Sequence, residues 1–318
     1  MIEHKYYKCT KCNVSLFEDN AVEAFLRCTK CDSRYPIENG VPRFVSGNSY
    51  VESFSYQWNT HRKTQLDSFT GLPITRNRFF AVTNWPKRME GLTILEAGSG
   101  AGRFTEVLLS TGAEVISFDY SSAVNANRMN NGYSPKLHLF RGDIYDIPLE
   151  RNSFDRVICL GVLQHTPNPE RAFRCLAQHV KPGGELVIDV YAKKFTALLH
   201  WKYLLRPLTR RMNKKILYKV IKAVVPALLP VSILSRRLMG KIGARLLPIV
   251  EYSHLGLSYE MNKQWAILDT FDMYSPRYDT PQNIESVEKW FRDADFSDVT
   301  VEYGSNGIVG RGRRLSNN

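Results

Sequence analysis

Four cysteines stand in two matching tetrapeptides, Cys9-Thr-Lys-Cys12 and Cys28-Thr-Lys-Cys31, in a sequence of 318 residues that holds six cysteines. Two such pairs at this interval can close a tetrahedral thiolate shell around one zinc ion. With every position taken by sulfur, none is open to water, so the metal is expected to be structural. Disulfides are the competing chemistry. Residues 1–47 are too few to bury a sufficient core, and metal-coupled folding supplies what is missing. Cys159 and Cys175 lie in apolar surroundings and are expected to be packing residues.

A second group of residues surrounds a glycine-rich turn. ILEAGSGAGRF places Gly98, Gly100 and Gly102 after a short apolar run. Glycines there permit positive φ and let a ligand approach the N–H groups at the start of a following helix. Asp119 lies 21 residues beyond Gly98, at the end of the next apolar run, where a carboxylate can grip ribose hydroxyls. The pattern is G-x-G-x-G and not the dinucleotide G-x-G-x-x-G, and these residues alone leave a nicotinamide dinucleotide and S-adenosylmethionine both open. Arg103, beside the turn, can meet a cofactor carboxylate or a surface acid.

These residues need a frame that brings strand ends together. Apolar runs at 92–97, 114–119, 137–140, 154–160 and 185–191 predict strands, and helical patterns at 103–110, 121–130 and 169–180 fall between them. Alternation of this kind predicts an α/β, doubly wound, Rossmann-like sheet with ligands at the carboxyl ends of its strands. A helix over 281–294 and two strands, 299–303 and 307–311, are expected to finish the sheet as an antiparallel pair.

Gly142-Asp143-Ile144 after the third strand, SFDRVICLGVLQHTPNPERAF through the fourth and VKPGGELVIDVY at the fifth complete a set with the glycine turn. Over residues 91–191 this set resembles the class I S-adenosylmethionine-dependent methyltransferases, particularly those similar to the ubiquinone and menaquinone biosynthesis enzymes. The N-terminal cysteines followed by RYPIENGVPRFV resemble the zinc ribbon found at the N-terminus of some methyltransferases and in an activator subunit of tRNA and protein methyltransferases. The resemblance implies that Glu96 and the turn Gly98, Gly100 and Gly102 hold the methionine part of the donor. It implies further that Asp119 holds the ribose, that Asp143 and Ile144 meet the adenine, and that Gly161 and Val162 lie near the sulfonium. Gln57 and Trp58, in a helical segment 48–90, are expected to cover the donor. His165, just past the fourth strand, is the candidate base for a hydroxyl acceptor. No N-P-P-[YF] tetrad follows the fourth strand, which counts against methylation of planar nitrogen.

The methyltransferase domain is expected over 91–318, interrupted by a helical insertion at 192–280. Tyr278 and Asp279, which close the insertion, are candidate acceptor contacts. The formal charge is +12, yet 14 Lys or Arg and no acid lie between residues 191 and 250. That segment therefore carries the excess, and the rest of the chain is slightly acidic. Its bland interpretation is a solvated helix face over a packed core. Peripheral membrane contact through residues 193–245, a lipid-linked acceptor and nucleic acid are the alternatives. The uncharged run 223–235, broken by Pro226 and Pro230, is short of the roughly 18–20 residues of a bilayer span, so no transmembrane helix is expected. With charge throughout MIEHKYYKCTKC in place of an apolar leader, the expected location is cytoplasmic, with the inner membrane face as a peripheral site.

The composition, 43% hydrophobic and 23% charged, excludes wholesale disorder. The function expected is methyl transfer to a small molecule or a glycan- or lipid-linked intermediate. The alternative is an RNA methyltransferase whose ribbon and basic insertion hold the nucleic acid, although no RNA-binding module is recognisable. A third is a non-catalytic cofactor-binding scaffold, against which the intact glycine turn, Asp119 and Asp143 argue.

Overall fold

A computed structural model describes residues 2–19, 24–46, 51–193 and 201–316. The first strands are short and antiparallel: β1 (Ile2–Lys8), β2 (Ser15–Asp19), β3 (Phe25–Cys28), β4 (Arg34–Glu38) and β5 (Val41–Pro42). Each cysteine pair turns tightly, because the residue after it, Asn13 or Asp32, takes φ 56° and returns its N–H to the carbonyl of Cys9 or Cys28. Asn and Asp tolerate that left-handed conformation better than other side chains do.

Three helices follow, α1 (Glu52–Thr60), α2 (Asp67–Thr70) and α3 (Ile74–Thr83), and they lead into the main sheet. Its strands are β6 (Thr93–Ala97), β7 (Glu114–Asp119), β8 (Leu137–Arg141), β9 (Phe154–Leu160), β10 (Val180–Val190), β11 (Phe296–Gly304) and β12 (Gly307–Arg314), in the order β11-β12-β10-β9-β6-β7-β8. Strands β6 to β10 pair in parallel, while β12 pairs antiparallel with both β10 and β11. The helices α4 (Arg103–Ser110), α5 (Val124–Asn131) and α6 (Pro169–Ala177) lie between them in sequence. This is the predicted doubly wound sheet. Most boundaries differ by up to three residues, and the largest difference is at β10: α6 ends at Ala177, and β10 starts at Val180, five residues early. Gly183, at φ 78°, and the register shift between Val180 and Glu185 let the Lys181-Pro-Gly-Gly stretch bend within the strand.

The N-terminal sheet packs into the main one. Tyr7, Leu26 and Tyr35 share one apolar cluster with Phe118, Phe140 and Leu149. The Tyr7 hydroxyl donates to the Leu139 carbonyl at 3.2 Å, and the Phe44 N–H to the Arg141 carbonyl at 2.9 Å, so the β8 edge is occupied.

The insertion is helical, with α7 (Trp201–Thr209), α8 (Lys214–Gly243) and α9 (Tyr259–Tyr274) before α10 (Ile284–Asp293). Its two ends meet: the Lys193 N–H reaches the Gln282 carbonyl at 2.7 Å, and the Gln282 N–H reaches Tyr191 at 2.8 Å. The expectation that no segment is long enough to span a membrane is corrected. Helix α8 continues through Pro226 and Pro230 and kinks at Gly240, whose φ of 58° and ψ of −136° are not helical; the stretch is long and apolar enough to cross a bilayer by length and composition alone. The sequence count treated both prolines as breaks, whereas a packed helix can absorb the lost hydrogen bonds.

Candidate active site

Glycine geometry shapes the floor of a cavity of about 390 Å³ at the carboxyl ends of β6, β7 and β9. Gly98, Gly100 and Gly102 adopt φ 76°, 54° and 87°, values that side-chain-bearing residues adopt only with strain. A Cβ on Gly98 would fall 2.3 Å from Val162 Cγ2, and one on Gly102 would fall 2.2 Å from Asn127 Oδ1. Helix α5 holds this turn from below. Asn130 and Asn131 donate to the carbonyls of Ala101 and Gly102 at 2.8 and 2.9 Å.

Asp119 lines the cavity and braces the turn. Its Oδ2 accepts the Gly100 N–H at 2.8 Å, while Oδ1 accepts the N–H and hydroxyl of Ser121 at 2.7 and 2.6 Å. Burial pushes its carboxyl upward, opposed by these donors. Glu96 is placed elsewhere. Its Oε2 accepts from Thr105 and Ser117 at 2.5 and 2.8 Å, tying β6 to α4 and β7, and it is not part of the cavity wall. Burial pushes its carboxyl up to about 7.

The other predicted residues separate into wall and support. Ile144, Gly161 and Val162 line the cavity, as does Gly142. Asp143 is off the wall, with Oδ1 accepting the Tyr145 N–H at 2.9 Å in a turn. Val51, just before α1, and Phe54 and Trp58 on it form a cavity-facing stripe at helical spacing, and Arg62 joins them from the turn after the helix. The Trp58 indole comes within 3.3 Å of where a Gly100 Cβ would stand. Gln57 is off that stripe and fully buried, and its amide has no hydrogen-bond partner among the described residues.

His165 lines the cavity between the rings of Phe54 and Tyr191, at 5.2 and 5.4 Å. Its Nδ1 lies 3.0 Å from the Tyr278 carbonyl, which can only accept. Nδ1 therefore carries the hydrogen, and Nε2 is the acceptor nitrogen of a neutral ring. Burial lowers its pKa to about 4, against the opposing effect of that hydrogen bond. Tyr278 and Asp279 act from behind. Arg206 Nη2 also donates to the Tyr278 carbonyl at 2.9 Å, and Asp279 is buried in ion pairs with Arg206 at 2.7 Å and Lys202 at 2.9 Å. Neither residue belongs to the cavity wall.

Several wall residues were not anticipated. Arg78 pairs with buried Asp189 at 2.7 Å, and Asp189 also accepts from Gly161 N–H and Asn306. Arg103 faces the cavity; Nη1 donates to Gln65 at 2.5 Å and the guanidinium lies 4.6 Å from the Phe104 ring. Burial lowers its pKa to about 10. From the insertion come Lys202, Tyr252, Asp269 and Asp272. Asp269 accepts from Gln65 and from the Tyr252 hydroxyl, and burial raises it to about 6. Of these, Arg103 was expected from its place beside the turn; sequence spacing could not reveal Arg78, Lys202, Tyr252, Asp269 and Asp272, which come from α3 and the insertion, remote from the glycine turn.

This set fits a nucleoside-bearing donor with an amino-acid tail. Asp119 offers a carboxylate that hydroxyls can approach, Arg78 and Arg103 offer guanidiniums that a carboxylate can meet, and the glycine floor leaves room for close approach. The cysteines fit zinc. Their four Sγ atoms lie within 4.8 Å of one another, and Cys9 and Cys31 are 3.6 Å apart. Tetrahedral zinc–sulfur bonds imply sulfur separations of about 3.8 Å.

Residues 95–188 match the methyltransferase domain family. An uncharacterized protein of Synechococcus sp. is 37% identical over 106 residues, covering 31% of this chain and 25% of that protein. A ubiquinone biosynthesis O-methyltransferase of Coxiella burnetii is 29% identical over 114 residues, covering 35% and 49%. The chain thus spans from a quarter to about half the length of these curated relatives. Among solved structures, the complex between the Haloferax volcanii Trm112 methyltransferase activator and a methyltransferase aligns over 83% of this chain and 98% of that one, with 13% identity and a TM-score of 0.49. The main sheet has Rossmann-like parallel strands, its residues 95–188 are similar to the methyltransferase domain family, and it carries an N-terminal module whose cysteine cluster is compatible with a zinc ribbon.

Proposed function

We propose that this methyltransferase domain makes the chain an S-adenosylmethionine-dependent methyltransferase acting on a small molecule or a glycan- or lipid-linked biosynthetic intermediate. The observation that carries this reading is convergence. The glycine turn and Asp119 of the sheet, α1, and the polar residues of the insertion all face one cavity of about 390 Å³.

Bound there, the donor supplies a methyl group already activated on a sulfonium. Asp119 accepts hydrogen bonds from the ribose hydroxyls, and Arg103, with Arg78, faces the methionine carboxylate. Ile144 packs against the adenine while Asp143 holds its turn, and Gly161 and Val162 bound the reacting end. Trp58 covers the glycine floor; Gln57 and Glu96 support the walls from inside. His165 orients an acceptor O–H or N–H through Nε2, a role suited to a ring that burial keeps neutral. Alignment of acceptor and donor supplies much of the rate. Tyr278 and Asp279 position His165 and Lys202 and leave contact with the acceptor to Lys202, Asp269 and Asp272.

Cys9, Cys12, Cys28 and Cys31 hold a structural zinc ion. The proposed location is cytoplasmic, with peripheral contact at the inner membrane face.

The test is transfer of labelled methyl from S-adenosylmethionine into a cell extract separated into RNA, protein, lipid and small-molecule pools. Label in the lipid or small-molecule pool is expected. Label confined to RNA would replace this acceptor class with nucleic acid, and cofactor binding with no label in any pool would indicate a scaffold.

A further inference from the structure

Helix α8 carries three stripes. Leu217, Ile221, Val225 and Leu229 are buried against Ala266, Ile267 and Phe271 of α9. Ile216, Val220, Val224, Val231, Leu234 and Leu238 recur at helical spacing on a second face, where they are 38–76% exposed. At 3.6 residues per turn they fall within a stripe roughly 80° wide. Lys215, Lys219, Lys222 and Arg237 fall roughly 120° further round; all are exposed, and none has an ion-pair partner among the described residues. On helix α7 only the apolar part recurs: Leu204 and Leu208 are each 69% exposed, whereas Lys202 and Arg206 turn inward to Asp279.

A solvated helix would place its cations and polar groups on the outermost face. Here only half of the solvent side is polar: the apolar stripe and the lysine stripe lie side by side, one on each side of the line opposite the buried stripe. An exposed apolar surface this long marks a docking site, and the charge beside it selects an anionic partner. We propose that α7 and α8 lie in the plane of an anionic phospholipid surface, with the apolar stripe entering the boundary of the acyl chains and the lysine stripe at the headgroups. The packing of α8 on α9 favours this over a transmembrane course, because spanning would strip the buried stripe from its core. Docking seats the cavity, through α7, next to the bilayer. The claim does not depend on the identity of the methyl donor.

The full chain is tested by flotation with phosphatidylglycerol–phosphatidylethanolamine vesicles and with pure phosphatidylcholine vesicles. Wild type is expected to float with the anionic vesicles and to bind the neutral ones far more weakly. The triple variant Lys215→Gln, Lys219→Gln, Lys222→Gln is expected to bind about fivefold more weakly per charge removed, roughly a hundredfold in all. Leu234→Glu with Leu238→Glu is expected to abolish flotation; circular dichroism and the thermal transition check that it folds. Equal flotation of wild type and both variants, or none by wild type, overturns the proposal. So does resistance of membrane-bound protein to alkaline carbonate, which would mean a spanning helix. Light scattering that shows a dimer dispersed by the leucine variant, without vesicle binding, would assign the face to a second copy. Preferential capture of wild type by RNA in competition with the anionic vesicles would assign it to nucleic acid.

Discussion

Glu96 exists in two protonation regimes that a stability measurement can separate. Folding lifts its carboxyl from its ordinary value of 4.5 to about 7, chiefly through burial. Between those values the native chain holds a proton that the unfolded chain has released, so this residue's contribution is full below about pH 4.5 and falls as pH rises toward 7. Glu96→Gln, which mimics the protonated acid, is expected to flatten this part of the profile. Urea unfolding should show it gaining on wild type between pH 5 and pH 8. Asp119→Asn leaves one oxygen for Gly100 but turns an amide NH2 toward the Ser121 N–H and loses the charge proposed to strengthen the ribose contacts. Calorimetry is expected to show S-adenosylmethionine binding at least about tenfold weaker, a change of roughly 1.4 kcal/mol, with the melting temperature of the unliganded chain separating lost bracing from lost contact. Unchanged affinity would contradict the ribose role. For His165, whose ring is neutral above about pH 4, the turnover rate should show no titration of this residue between pH 6 and 8. His165→Ala should lower kcat by roughly a hundredfold, the loss that a misplaced acceptor brings; a wild-type rate would exclude the role.

The glycine turn is the element on which most of the chemistry rests, and its demands are steric. Gly98→Ala is expected to cost about 1–2 kcal/mol from φ 76° alone, and more from contact with Val162. Adding Val162→Ala should recover the contact part and leave the backbone part, so chemical denaturation of the single and double variants separates the two. A double variant no better than the single would show that the backbone strain dominates. This turn was legible because glycine spacing, strand and helix lie within one short stretch. Glu96 was less legible: its place near the end of β6 was clear from sequence, but Thr105 and Ser117 draw its carboxylate beneath the turn. Asp143 likewise holds its turn through Tyr145. Asp269, Asp272 and Lys202 were invisible for a different reason, since no local motif reports which face of an inserted helix will turn toward a distant sheet. The charge of the insertion was plain; that an apolar stripe shares its solvent side emerged only when α9 claimed the neighbouring stripe.

At the scale of the molecule, the cysteine module and the methyltransferase sheet share a core. Tyr7 packs with Phe44 and Phe140, their ring centroids 5.4 and 5.5 Å from its own. Withdrawal of zinc by a chelator is therefore expected to lower the melting of the main sheet as well as that of the ribbon, as one coupled shift in scanning calorimetry. A sheet transition unmoved by zinc removal would contradict the shared core. Stoichiometric zinc retained by Cys28→Ser would contradict the four-thiolate site.

The hydrogen bonds from Tyr7 and Phe44 to β8 have a consequence for solubility. Without them the outer β8 edge would expose carbonyls ready to pair with another strand. A chain whose ribbon has melted would become adhesive along that edge, and neighbouring molecules could stack strand on strand. The zinc module would then serve as a chaperone built into the fold, keeping the methyltransferase sheet from polymerising.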